Sequence, residues 1–94
     1  MYIHDFIWLP AIIEKLAVKH NVSQDEVEEV FFNNPRIRFV ESGDRIGENV
    51  YSALGRTDAG RYLIVFFLYK SGGIALIISS RDMNAKERKL YGRK

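Results

Sequence analysis

Ninety-four residues, 47% of them hydrophobic, suffice for one core and leave no room for a second of ordinary size, so residues 1–94 read as a single domain. Six Phe, five Tyr and one Trp argue against a disordered chain, and the absence of Cys excludes a disulfide framework and a thiolate metal site. The net charge of +2 hides an imbalance: residues 1–50 hold five basic against nine acidic side chains and residues 51–94 nine basic against three acidic, a split that suits a polyanion or an acidic partner.

In chain order, "YIHDFIW" is rich in aromatic and β-branched residues and reads as a short strand. Pro10 can open a helix, where its missing N–H costs nothing, and Ile12, Ile13, Leu16, Ala17 and His20 keep helical spacing up to a left-handed stop at Asn21. "SQDEVEEVFF" begins with a capping box, Ser23 to Glu26, and carries Val27, Val30 and Phe31 on one stripe; "NNP" ends this second helix. Four strand-like runs follow, "RIRFVE", "NVYSAL", "RYLIVFFLY" and "IALIIS", separated by the turn-forming "ESGDRIG", "GRTDAG" and "KSGG". A last helix starts near Asn84, which pairs with Glu87 at box spacing, and runs through Leu90 and Tyr91. The predicted fold is α+β, in the order β-α-α-β-β-β-β-α, with an antiparallel meander. "RYLIVFFLY" is apolar on both faces, so it needs a cover on each side; the two N-terminal helices supply one, and the last helix or a partner the other.

The opening segment lacks the basic start of an export signal and meets Pro10 early, and no later run approaches a membrane span; a cytoplasmic protein without a membrane partner is expected. The chain has no P-loop, dinucleotide fingerprint, paired histidine ligands or calcium loop, so no metal or cofactor is expected. What stands out is a distributed basic set: Lys19 and His20 at the end of the first helix, Arg56 and Arg61 around a turn, Arg81 at a strand end, then Lys86, Arg88, Lys89, Tyr91, Arg93 and Lys94. Guanidinium forks fit phosphate oxygens and aromatic rings stack on unpaired bases, so this set suits RNA. Cleaving RNA without a metal needs only activation of the 2′-OH, stabilisation of the phosphorane and protonation of the leaving 5′-oxygen, tasks within reach of Lys, His, Arg and Tyr. Structural readings compete: His20 as a satisfied helix end, Lys19 as compensation of the helix dipole, Arg61 and Arg81 as partners of the second helix's acids, the tail as a solvated face and Trp8 as core.

Three blocks carry a resemblance. "IWLPAIIEKLAVKHNVSQDEVEEVFF", "ALGRTDAGRYLIVFF" and "LIISSRDMNAKERKLY" are similar to the segments of the BrnT-type toxins of bacterial toxin-antitoxin systems, in the same order and over nearly the whole chain. The resemblance implies a RelE-like fold, metal-independent endoribonuclease activity that inhibits translation, and a cognate ribbon-helix-helix antitoxin in a heterotetramer that meets DNA only through the antitoxin. By motif it points to Lys19, His20, Arg61 and Arg81 as catalytic residues, and to Arg56, Lys86, Arg88, Lys89 and Tyr91 as RNA-binding. The chain departs from the family pattern at Leu9, Ile12, Leu16 and Asn21, where polar residues or Gly are usual. The alternative is a non-catalytic module whose basic half binds an acidic protein.

Overall fold

A computed structural model describes residues 1–43 and 48–93. The elements are β1 (Asp5–Ile7), α1 (Pro10–His20), α2 (Gln24–Phe32), β2 (Arg36–Glu41), β3 (Val50–Arg56), β4 (Tyr62–Lys70), β5 (Ile74–Asp82) and α3 (Ala85–Tyr91). Class and order are those expected. The one departure is β1, which pairs in parallel with β5 at the sheet edge, so the five strands, ordered β1-β5-β4-β3-β2, form a mixed sheet rather than a pure meander. A strand that precedes two helices reaches the sheet by a crossover, and a crossover of that length permits the parallel pairing that a hairpin forbids. Of the predicted turn "ESGDRIG", residues 44–47 lie outside the described residues.

The local signals behave as their chemistry requires. Pro10 opens α1, and Asn21 stops it at φ 52°, with its N–H bonded to the Leu16 carbonyl. Ser23 and Glu26 close a reciprocal box at the start of α2, as do Asn84 and Glu87 at the start of α3. α1 and α2 cover one face of the sheet: Leu16, Val27, Val30 and Phe31 pack with Leu63, Val65 and Phe67 of β4 and Ala75 and Ile77 of β5. α2 lies so close to β3 that a Cβ at Gly55 would sit 2.9 Å from Val30 Cγ1.

α3 covers the other face, but only at one end, where Tyr91 and Met83 join Leu54 and Ile64. The sheet is therefore covered over most of one side, with Phe39 of β2 left 58% exposed there, and partly on the other.

Candidate functional site

The end of the sheet where β3 stops, β4 starts and β5 stops collects nearly all the predicted functional residues. A tight turn joins β3 to β4: Thr57 N–H donates to the Arg61 carbonyl at 2.9 Å, and Gly60, at φ +93°, donates to the Thr57 carbonyl. The last turn of α2 holds it from outside, through Asn33 Nδ2 to the Arg56 carbonyl and to Asp58 (2.9 Å each) and Glu29 Oε1 to the Asp58 N–H (3.0 Å). This turn makes Arg56 the direct cross-strand partner of Tyr62, leaving Arg61 outside the ladder. Arg56 and Arg61, which flank the turn in sequence, consequently point to opposite sides of the sheet.

Arg61 turns toward the helices. Its Nε and Nη2 grip the Asp82 carboxylate at 2.7 and 3.3 Å, Nη1 reaches the Asn21 carbonyl at 2.6 Å and both Glu26 oxygens at 3.2 Å, and Nη2 also reaches the His20 carbonyl at 3.1 Å. A guanidinium has five N–H donors, and this set occupies all of them. The side chain thus ties the last carbonyls of α1 to the start of α2 and the end of β5. Asp82, held by the Arg61 hydrogen bonds and influenced also by the charge of nearby His20, titrates below the ordinary carboxylate range, while Arg61 is raised, first by its bond to Asp82. His20 is half-buried and Lys19 exposed at this helix end.

Arg81 points to the opposite face. It forms a fork with Glu87 of α3, Nη1 to Oε1 at 2.8 Å and Nη2 to Oε2 at 3.0 Å, and lies 5.8 Å from the Phe66 ring centroid. The bond to Arg81 holds Glu87 below its usual range. The expected acidic partner of Arg81 was α2; the structure supplies it from α3 instead. Among the described residues Arg81 leaves its Nε–H and one Nη2–H unengaged, and 39% of its side chain is exposed.

On that same face two exposed arginines converge on one ring. Arg56 lies 4.9 Å and Arg88 4.2 Å from the centroid of Tyr62, within cation–π range, and neither has a carboxylate partner among the described residues. Tyr91, predicted to hold RNA, is only 8% exposed and packs edge-on against Tyr62 at 6.0 Å, so it offers little surface for a base; Tyr62 itself is half-buried beneath the two arginines. Alongside α3 a groove of about 670 Å³ is lined by Arg38, Lys86, Lys89 and Arg93 together with Glu87 and Leu90. Arg36, also on this face, donates to the Leu90 carbonyl at 3.3 Å and steadies the end of α3.

Sequence reasoning missed Tyr62, Arg36 and Arg38. The signal for Tyr62 lay in the turn length, which decides which residue faces Arg56; the signal for Arg36 and Arg38 was their alternate spacing in "RIRFVE". Among the described residues no three His, Cys, Asp or Glu side chains gather into a metal-binding group.

The family model described as the ribonuclease toxin BrnT of type II toxin-antitoxin systems matches residues 8–87. Among solved structures, the 1.1 Å crystal structure of the Brucella abortus ribonuclease toxin BrnT superposes with a TM-score of 0.64 over 86% of this chain and 99% of that one; at 17% identity this likeness speaks to the fold. No curated protein matches. With the family model running from Trp8 to Glu87, through the second block and most of the first and third, the chain belongs to the BrnT family and is a ribonuclease toxin of a type II toxin-antitoxin system.

Proposed function

We propose that this toxin is a metal-independent endoribonuclease that holds RNA across the end of the sheet where β3, β4 and β5 meet α3. The observation that carries the assignment is the pair of guanidiniums, Arg56 and Arg88, that share the Tyr62 ring and have no carboxylate partner among the described residues. Fixed cations that have no acid to neutralise them are available to a phosphate, and they need no reorganisation when negative charge builds up on the phosphorane. Lys86 and Lys89 extend this charge along α3, and Arg81, with two free donors, stands between the groove and the core as a further phosphate ligand. Lys19 and His20 flank the same end of the sheet from the helix side and are assigned the proton transfers at the 2′-OH and the leaving oxygen. Arg61, with its donors saturated, acts by position: it fixes the chain segment that presents Lys19 and His20.

The remaining parts of the reading rest on family membership. The RNA cut is one whose loss arrests translation, the toxin works in the cytoplasm, and its antitoxin is a ribbon-helix-helix protein that forms a heterotetramer with two toxin chains and carries the contact to DNA. The test is cleavage of a defined RNA in the presence of EDTA, paired with growth of bacteria expressing the chain. Wild type should cleave and arrest growth, and the Arg56→Ala/Arg88→Ala variant, folded, should do neither. Full cleavage by that variant would remove Arg56 and Arg88 from the site, and cleavage that EDTA abolishes would refute metal independence.

A further inference from the structure

Among the described residues no helix covers the rest of the sheet face that α3 covers at one end, and the strand register arranges the apolar side chains there into a row. Ile7 of β1 pairs with Leu76 of β5, Leu76 with Leu68 of β4, and Leu68 with Val50 of β3. All four lie on the α3 side, because their chain neighbours Phe6, Ala75, Phe67 and Tyr51 pack toward α1 and α2. Neither core cluster includes them; Ile7 is 41% exposed and the other three are half-buried. Such a row, running from the edge strand β1 across the three middle strands, is the sort of surface a folded protein leaves for a partner.

The surroundings decide what kind of partner. Toward α3 the next residues are Phe66 and the exposed Arg38, which flank Ser52, and beyond them the lysines of α3, so this border is cationic. Away from α3 the border is balanced, with Asp5 beside Ile74, and with Lys70 paired to Glu48 at 2.6 Å. The row itself carries no cation and no aromatic ring, so it suits neither a phosphate nor a base. Four strands at about 4.8 Å spacing put roughly 14 Å between the outer members, the rise of about ten helical residues.

We infer that this row is the docking surface for a helical segment of the antitoxin, about three turns long, with an apolar stripe on Ile7, Leu76, Leu68 and Val50 and carboxylates toward Arg38 and α3. The inference rests on the toxin reading, which supplies a protein partner, and adds where that partner sits. The site adjoins the RNA-binding end, so a segment lying there brings its acidic edge up against the cations assigned to RNA.

The test uses the full chain and the protein encoded by the reading frame adjoining its gene. Binding is measured by titration calorimetry for wild type, Leu68→Glu/Leu76→Glu and Arg38→Glu. The double variant should bind at least a hundredfold more weakly while still cleaving RNA, and Arg38→Glu should bind about tenfold more weakly. Affinity of the double variant within threefold of wild type would overturn the inference. As a check that needs no variant, methyl resonances of Ile7, Val50, Leu68 and Leu76 in the wild-type toxin should shift on adding the partner; if these four stay still while others move, the site is elsewhere. A wild-type dimer that the double variant dissolves would assign the row to a second copy and also overturn it. Failure of the toxin reading looks different: wild type would then neither cleave RNA nor bind that protein.

Discussion

Two arginine settings at one end of the sheet invite comparison. Arg61 has five donors and five uses for them, all within the molecule: two helix-end carbonyls, Glu26 and Asp82. Arg56 and Arg88, on the other face, touch a ring and, among the described residues, no acid. By residue type the three are alike, and by spacing Arg56 and Arg61 look like a pair. Their difference shows that a cation's availability depends on its neighbours: a guanidinium surrounded by carboxylates and carbonyls organises the fold, and one left with only an aromatic face can bind a phosphate.

The largest effect should come from the free pair. Each charge-assisted phosphate contact is worth about 1.5–3 kcal/mol, so Arg56→Ala/Arg88→Ala should lower RNA cleavage by a hundredfold or more, with thermal unfolding hardly changed. A large fall in melting temperature with cleavage per folded molecule intact would invert the comparison.

Arg61→Ala should do the reverse. Losing hydrogen bonds to helix-end carbonyls and to Glu26 should cost about 2–3 kcal/mol in urea unfolding, with little of this from Asp82, whose side chain is 66% exposed and well screened. Arg61→Lys, which keeps the charge but not the fork, should recover little of the loss. If it recovers most of it, charge rather than geometry is what Arg61 supplies.

Next in size is the cap of α3. Asn84 accepts from the Glu87 N–H at 2.8 Å, and Asn84→Ala should cost about 1 kcal/mol, seen as faster amide exchange in α3 with protection in β4 unchanged. Since α3 carries Arg88, cleavage should fall modestly in step.

The smallest effect concerns acid. Asp82 and Glu87 both titrate below their ordinary values because of Arg61 and Arg81. A lowered native pKa means that the unfolded chain takes up protons first, so the stabilisation is complete above the ordinary carboxyl range and is lost as pH falls from there through the lowered values. Urea midpoints should be flat near neutral pH and decline below about pH 4.5, less steeply in Asp82→Asn and Glu87→Gln. Identical slopes in these variants would mean other carboxylates carry the acid sensitivity.

Much of the fold could be read before any coordinates. The α1 boundaries, the two capping boxes and the central place of β4 follow from interactions a few residues apart, such as Ser23 with Glu26 and Asn84 with Glu87, or from the apolar pattern of a single run. The direction of β1 could not be read, because parallel pairing with β5 is decided by a strand nearly seventy residues away. The candidate site was legible as a list of basic residues but not as two opposed groups. Arg61 and Arg81 carry the same charge in the sequence as Arg56 and Arg88; which of them meet Asp82, Glu26 or Glu87, and which meet Tyr62, depends on strand parity and helix placement.

The sequence alone thus determined the elements, their order, the basic character of the second half and the family resemblance, since propensity, capping and charge are local properties. Tertiary structure decided that Arg61 is spent on the fold, that Arg56 and Arg88 share Tyr62, that Tyr91 is buried, and that an apolar row lines up across four strands. Those are matters of which side of a pleated sheet a residue faces and what lies across from it, and strand pairing and helix packing settle both.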